Sequence, residues 1–202
     1  MLDRVALNLL RPGITRLAQT LARARVQADH VTLAGFCVGM GGAVAITQHA
    51  FGLGLVLLLL SRLFDGLDGA LARLTTATDR GAFLDISLDF IFYASIPLAF
   101  ALAEPTANAL PAAVLLAAFV GTASSFLAFA VLAAQRGLKS VVYPNQGIYY
   151  LGGLTEATET LACFALMCLW PAQFALWAYG FAALCLLTIA TRLWAGWRAL
   201  SP

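Results

Sequence analysis

The sequence reads FGLGLVLLLLSRLFDGLDGALARL over residues 51–74 and GAFLDISLD over residues 81–89. The first stretch opens with an apolar run. The stretch as a whole is longer than the roughly 20 residues that a transmembrane helix needs. Its second half carries acidic and basic side chains, and the second stretch adds two more acids. Charged groups at membrane depth cost about 2.5–3.5 kcal/mol each on insertion scales and are functional by default. The two stretches therefore predict a membrane protein with a charged functional site.

The composition of the whole chain agrees with a location in lipid. Of its 202 residues, 61% are hydrophobic and 11% are charged, and the mean hydropathy is +0.86. A soluble domain is about half apolar and about a quarter charged, so an ordinary water-soluble enzyme is excluded. The net charge is +2 and no long basic run is present, which argues against a nucleic-acid partner. We expect membrane lipids to surround most of the chain.

The apolar runs predict an all-α integral membrane protein with six transmembrane helices in one catalytic domain, residues 29–202. The predicted helices cover 31–48, 51–74, 81–103, 109–135, 153–170 and 172–197. Residues 1–28 place arginines and apolar residues at helical spacing around a Pro12-Gly13 break. This pattern is typical of an amphipathic helix lying on the membrane surface, although a solvated basic arm would also fit.

The basic residues predict the orientation, because cytoplasmic loops collect Lys and Arg. If the N-terminus is cytoplasmic, all twelve Lys and Arg fall on the cytoplasmic side and the three opposite turns contain none. We therefore expect both termini and the charged site at the cytoplasmic face of a bacterial inner membrane. A face of small residues at Gly35, Gly39 and Gly42 predicts close helix packing.

Four aspartates are predicted to converge at the cytoplasmic ends of the second and third helices. Asp65 and Asp68 share one helical face, as do Asp85 and Asp89, and a short connection makes the two helices antiparallel neighbours. Four bare carboxylates would repel one another. Ligand sets of oxygen alone favour Mg²⁺ or Mn²⁺. Four negative charges match two such ions, the arrangement that clamps the attacking and leaving oxygens in phosphoryl transfer.

Small and basic residues beside these acids suggest a phosphate-bearing ligand. Gly69 and Ala72 leave space where a nucleotide can approach the backbone, and Arg73 can bind phosphate oxygens through a two-pronged contact. Gly81 starts the third helix, where free N–H groups favour an anion. Packing at Gly69 and a cytoplasmic anchor at Arg73 are the structural alternatives.

The eight positions together resemble the signature of the CDP-alcohol phosphotransferase (CDP-alcohol phosphatidyltransferase) family. They read Asp65-x2-Asp68-Gly69-x2-Ala72-Arg73-x7-Gly81-x3-Asp85-x3-Asp89. Members of that family are membrane enzymes that transfer a substituted phosphate group from a CDP-linked donor to a hydroxyl and release CMP. The interval of seven residues before Gly81 is one shorter than is usual, which leaves the contacts around cytidine open.

The resemblance implies roles for these residues. Asp65, Asp68 and Asp85 would be the main metal ligands, and Asp89 would complete a second metal site and act as general base. The nucleotide would lie against Gly69, Ala72, Arg73 and Gly81. A homodimer is suggested by the family alone.

The resemblance leaves the donor and acceptor open. The first hypothesis is an enzyme of phospholipid synthesis with CDP-diacylglycerol as donor. Its acceptor would be a small alcohol such as glycerol 3-phosphate or an inositol phosphate. A CDP-alcohol donor with a diacylglycerol acceptor uses the same chemistry. A divalent cation transporter is more remote, because transporter sites lie at the midplane between repeated halves. The candidate acceptor-binding residues are Arg136, Lys139, Glu156, Glu159 and Arg192. An ion pair between Arg192 and either glutamate is the structural alternative.

Overall fold

A computed structural model of the chain describes residues 2–137 and 154–201, with side chains from residue 12 onward. These residues form helices and no strands. The helices are α1 (Leu2–Arg23), α2 (Ala28–Thr47), α3 (Phe51–Leu74), α4 (Asp79–Ala103), α5 (Pro105–Gln135), α6 (Ala157–Leu169) and α7 (Phe174–Leu200), with a 3-10 turn at Pro171–Gln173 before α7. The all-α class predicted from the sequence is confirmed.

Four of the described helical segments are long and apolar enough to cross a membrane. They are Ala28–Thr47, Asp79–Ala103, Pro105–Gln135 and Pro171–Leu200. The sequence predicts six spans, and the two that this measure does not include are α3 and α6. α3 carries four charged residues, and the described part of α6 has only 13 residues. The protein is an integral membrane protein with four candidate spans in the described ranges.

Large apolar side chains cover much of the outer surface. Leu102 is 61% exposed, and Leu110 and Val120 are each 68% exposed. In water such exposure would forgo about 25 cal/mol for every Å² of apolar area. Lipid chains remove that cost, so this surface suits a bilayer.

Several details of the helices differ from the sequence prediction. α5 begins at Pro105 rather than at residue 109, because proline is well suited to the first position of a helix. α4 begins two residues earlier, at Asp79. The predicted break at Pro12-Gly13 is wrong, since α1 continues through both residues.

The second half of α1 packs against the body of the protein. Ala18 is fully buried in a cluster with Val31 of α2 and with Leu67 and Leu71 of α3. Burial of this apolar stripe helps offset the helix-breaking effect of Pro12. As a result, α1 lies beside the end of α3 that carries the charged residues.

α2 is the helix on which α3 and α4 meet. A Cβ atom added at Gly35 would lie 2.6 Å from Phe64 Cβ of α3, and one added at Gly39 would lie 2.7 Å from the Phe92 ring of α4. Neither position has room for a larger residue. The close packing predicted for the small-residue face is therefore confirmed, and it occurs within one chain.

α3 and α4 run antiparallel along α2. Phe51 at the start of α3 stacks on Phe100 near the end of α4 with ring centroids 5.7 Å apart, and Phe100 stacks on Phe174 of α7 at 4.7 Å. Because the helices run in opposite directions, the end of α3 meets the beginning of α4 at the far side of this aromatic stack. The aspartates lie at that side.

Candidate active site

Three carboxylates from two helices form a compact group. One oxygen from each of Asp65, Asp68 and Asp85 lies within 4.8 Å of the others. Asp68 is only 5% exposed, and its buried Oδ2 has no hydrogen-bond partner in the described part of the chain. A buried carboxylate oxygen without a donor is costly, and a cation would relieve that cost. The three residues therefore fit a hard divalent ion.

Asp89 lies one turn beyond Asp85 and is held by an arginine. Arg62 Nη1 donates to Asp89 Oδ1 at 2.7 Å and lies 3.7 Å from Asp65 Oδ1. The Arg62 side chain is 15% exposed, and its guanidinium carbon lies 4.2 Å from the centre of the Phe92 ring. Arg62 thus lies between two members of the acidic cluster, which we define as Asp65, Asp68, Asp85 and Asp89.

Sequence reasoning did not place Arg62 in the site. Its position near the cytoplasmic end of a helix made it one of the twelve basic residues used to predict orientation. The overlooked signal is its spacing, because a residue three positions before Asp65 shares the same helical face.

The candidate nucleotide-binding residues lie beside the acidic cluster, at the end of α3 and the beginning of α4. A Cβ atom added at Gly69 would lie 3.4 Å from Nη1 of Arg73, so the exposed Arg73 side chain folds back along α3. Ala72 is partly buried. These positions leave the Arg73 guanidinium accessible on the same side of α3 as Gly69.

Gly81 differs from the sequence prediction in one respect. Its N–H donates to Thr78 Oγ1 at 3.0 Å as part of the N-cap of α4, so this amide is not open to an anion. A Cβ atom added at Gly81 would lie 3.1 Å from Asp29 Oδ1. Asp29 of α2 accepts two hydrogen bonds from Arg80, at 2.7 and 3.0 Å. Gly81 therefore lets the beginnings of α2 and α4 approach each other.

A second space opens on the other side of Asp89. This cavity, the Asp89 cavity, has a volume of about 270 Å³ and lies among α4, α5, α6 and α7. Its polar lining consists of Asp89, Tyr93, Thr122, Thr155, Glu156, Thr160 and Arg192. Phe90, Phe119 and Phe126 form part of its apolar wall. Asp89 also lines the narrow cleft of the acidic cluster, so this one carboxylate belongs to both spaces.

Two of the five candidate acceptor-binding residues line the Asp89 cavity. They are Glu156 and Arg192. Arg192 is 9% exposed and its Nη1 donates to the Thr122 carbonyl at 3.3 Å. The candidate acceptor residues from the sequence did not include the threonines of the cavity, which come from α5 and from α6 with the residues just before it.

Two other candidates, Glu159 and Arg136, make contacts outside the lining of this cavity. Glu159 Oε2 accepts from the Glu156 N–H at 3.2 Å, and the two glutamates form a reciprocal cap at the start of α6. Arg136 Nη1 donates to the Leu200 carbonyl at 2.6 Å and so ties the end of α5 to the end of α7. Lys139 lies outside the described residues.

The fold and the site define a class: a helical membrane protein with a partly buried acidic cluster. Comparison with known proteins identifies the family. The sequence model for CDP-alcohol phosphatidyltransferases matches residues 25–194. The chain belongs to the CDP-alcohol phosphatidyltransferase family. It is therefore a membrane-bound transferase of phospholipid biosynthesis.

Relatives of known sequence agree with this assignment. The chain is 48% identical to the inner membrane protein YnjF of Escherichia coli strain K12 over 200 residues, which are 99% of this chain and 97% of that protein. It is 39% identical to the archaetidylinositol phosphate synthase of Methanothermobacter thermautotrophicus over 85 residues, 41% of this chain and 44% of that protein.

Solved structures share the fold. The Mycobacterium tuberculosis phosphatidylinositol phosphate synthase PgsA1 with bound CDP-DAG superposes with a TM-score of 0.72 at 22% identity, covering 91% of this chain and 93% of that one. The same enzyme with manganese and citrate gives a TM-score of 0.71, also at 22% identity, covering 91% and 88%. At this level of identity the likeness establishes a common fold.

Proposed function

We propose that this enzyme transfers a phosphatidyl group from CDP-diacylglycerol to a hydroxyl of a small alcohol that carries an anionic group, and releases CMP. The observation that carries the proposal is the position of Asp89. Its carboxylate lies next to the three grouped aspartates and also lines the cavity that holds Arg192. A donor phosphate and an acceptor hydroxyl can therefore meet at Asp89.

The grouped carboxylates support a divalent ion at the donor side. Asp65, Asp68 and Asp85 would hold Mg²⁺ or Mn²⁺, and the unpartnered Asp68 Oδ2 favours such an ion. Such an ion, when bound there, would offset the negative charge of the donor pyrophosphate. A second ion, as expected from four carboxylates, would have to share Asp89 with Arg62.

Asp89 is placed to act as general base. Within the described residues, Arg62 bonds to Oδ1 and no hydrogen bond is made to Oδ2. Oδ2 would take the proton from the acceptor hydroxyl as the oxygen attacks the phosphorus that bears the diacylglycerol. A new phosphorus–oxygen bond forms to the acceptor, and the bond to the bridging oxygen breaks. CMP leaves with that electron pair.

The nucleotide is proposed to lie along the end of α3 and the beginning of α4. Gly69 and Ala72 provide low side-chain bulk there, and Arg73 is exposed and free to turn toward phosphate oxygens. Gly81 contributes by close packing, since its N–H already bonds to Thr78. The fold neighbour solved with bound CDP-DAG and the relative named archaetidylinositol phosphate synthase support this choice of donor.

Arg192 and Glu156 are the proposed acceptor contacts in the Asp89 cavity. A buried guanidinium favours an acceptor with a phosphate or another anionic group, and the nearby threonines suit polyol hydroxyls. The other acceptor-binding candidates from the sequence are Glu159, Arg136 and Lys139. Their observed contacts favour a structural role for Glu159 and Arg136.

The membrane arrangement is part of the proposal. We place the chain in the bacterial cytoplasmic membrane, as the similarity to an E. coli inner membrane protein supports. α3 and α6 would complete six spans, because each lies within the helical bundle, and α1 would lie at the membrane surface. Both termini and the acidic cluster would face the cytoplasm. A homodimer is expected from the family alone, since the α2 glycines pack within the chain.

The test is Mg²⁺-dependent CMP release by the purified protein in detergent. CDP-diacylglycerol is offered with a panel of alcohols that includes glycerol 3-phosphate and inositol phosphate, each paired with its unphosphorylated form. We expect turnover with a phosphorylated alcohol and little with its neutral partner. No turnover in the whole panel, combined with turnover of a CDP-alcohol with diacylglycerol, would reverse the assigned direction.

A further inference from the structure

Arg62 occupies a position between two carboxylates of the acidic cluster. Its Nη1 atom is 2.7 Å from Asp89 Oδ1 and 3.7 Å from Asp65 Oδ1. A cation that served both carboxylates would have to lie in this same region. The guanidinium therefore stands where a second metal ion, shared by Asp65 and Asp89, would be expected.

The surroundings of Arg62 fix it in that position. Its guanidinium carbon lies 4.2 Å from the centre of the Phe92 ring and 5.6 Å from that of Tyr93, within the range of cation–π attraction. Phe92 is fully buried and packs directly against the backbone of α2, where Gly39 leaves room for its ring. Arg62 is thus a largely buried residue that packs against the interior of the protein.

A metal ion added beside this guanidinium would meet a like charge at short range. Guanidinium groups remain protonated in proteins, so Arg62 cannot lose its charge to admit an ion. The group of three carboxylates within 4.8 Å of one another consists of Asp65, Asp68 and Asp85 and leaves out Asp89, the residue to which Arg62 donates. Within this group Asp68 Oδ2 lacks a hydrogen-bond partner among the described residues. The cluster is divided into a site for a metal ion and a site that already holds a cation.

We propose that the Arg62 guanidinium takes the place of the second divalent ion, so that each chain binds a single ion, at Asp65, Asp68 and Asp85. This proposal rests on the proposed function. Arg62 acts as a positioning residue, because its bond to Oδ1 orients Asp89 and leaves Oδ2 for the proton of the acceptor. The enzyme combines one metal ion with one fixed organic cation.

The experiment counts the Mn²⁺ bound by the full-length protein in detergent micelles, by equilibrium dialysis and electron paramagnetic resonance. We expect one Mn²⁺ per chain in the wild type and no coupling between two manganese spins. Arg62→Met should bind two ions, because removal of the guanidinium vacates a position between Asp65 and Asp89. Arg62→Lys keeps a cation there and should still bind one.

Arg198→Met is the matched control. Arg198 also lies over an aromatic ring, with its guanidinium carbon 4.0 Å from the centre of the Trp194 ring, but it is exposed near the end of α7. Its replacement should leave the count at one.

Two Mn²⁺ per chain in the wild type would overturn the inference and leave the proposed function intact. A count of one in Arg62→Met would also overturn it. No bound Mn²⁺ in the wild type would remove the metal centre and the proposed function with it. If Arg62→Met does not fold, the counts for the wild type and Arg62→Lys still decide.

Discussion

The acidic cluster and the Asp89 cavity lie on opposite sides of one carboxylate, and they are built differently. The cluster lines a narrow cleft formed by α2, α3 and α4, which follow one another in the chain. The cavity is wider and largely apolar, and its lining residues run from Ile86 to Arg192. The reacting groups therefore come from helices that are consecutive in the chain, with their aspartates at helical spacing. The proposed space for the acceptor is formed by helices that are far apart in the chain. The two regions should respond differently to substitution.

The largest effect is expected for Asp68→Asn. Asp68 is buried and its Oδ2 has no partner within the described residues, so the neutral amide should abolish both Mn²⁺ binding and detectable turnover. Manganese binding and CMP release measure this. Glu104→Gln, the corresponding change from acid to amide at the exposed residue that follows α4, should alter neither. Full activity in Asp68→Asn would exclude the metal site.

Asp89→Asn should separate binding from turnover. The amide cannot accept the proton of the acceptor, and loss of a general base lowers the rate by about 10²–10⁴-fold. The ligand group at Asp65, Asp68 and Asp85 is untouched, so binding of a CDP-linked donor should persist. Single-turnover CMP release and donor binding give the two values. Loss of donor binding with an unchanged rate per bound donor would assign Asp89 to binding alone.

Arg192→Met should act on the cavity alone. A hydrogen bond to a charged group contributes about 1.5–3 kcal/mol, which corresponds to a roughly 10- to 100-fold higher KM for the acceptor. The KM for the CDP-linked donor should stay unchanged, because Arg192 lines the cavity and not the cleft. Steady-state kinetics with each substrate varied in turn measure this, with Arg198→Met as the exposed control. A rise in the donor KM instead would place Arg192 on the donor side.

The smallest effect is expected for Gly39→Ala, which tests the packing of the cleft. The added Cβ would lie 2.7 Å from the Phe92 ring, and overpacking of this kind costs about 1–3 kcal/mol. The apparent unfolding temperature in detergent should fall, and activity should fall with it because Phe92 supports Arg62. Gly180→Ala has open space around it and should change neither property. Equal stability of the two variants would show that α2 tolerates a looser contact.

The acidic cluster was largely predictable because its geometry is helical. Asp65 with Asp68, and Asp85 with Asp89, share faces by spacing alone, and a short connection brings the two helices together. What spacing did not predict is the division of the cluster, in which Asp89 bonds to Arg62 while the other three carboxylates group together. That division depends on the Phe92 ring, which lies beneath the Arg62 guanidinium. The ring packs against Gly39 of α2, a helix that is distant from Phe92 in the sequence.

The Asp89 cavity shows the limit of sequence reasoning. Glu156 and Arg192 are candidates from the sequence because they are polar residues at the predicted cytoplasmic side, and both line the cavity. Glu159 and Arg136 were selected for the same reason, yet they bond to the start of α6 and to the end of α7. A polar residue in a lipid-facing chain must find a partner, but its sequence position does not say which partner it finds.

The sequence by itself determined the membrane class, the helices, the family and the positions of the four aspartates, because composition and helical periodicity are local properties. The tertiary structure decided that Arg62 pairs with Asp89 and that the Gly81 amide serves a helix cap. It also decided that two of the four described candidate acceptor residues line the cavity. Those outcomes depend on which side chains from distant helices become neighbours. Such proximity is set by the packing of the whole bundle rather than by any single segment.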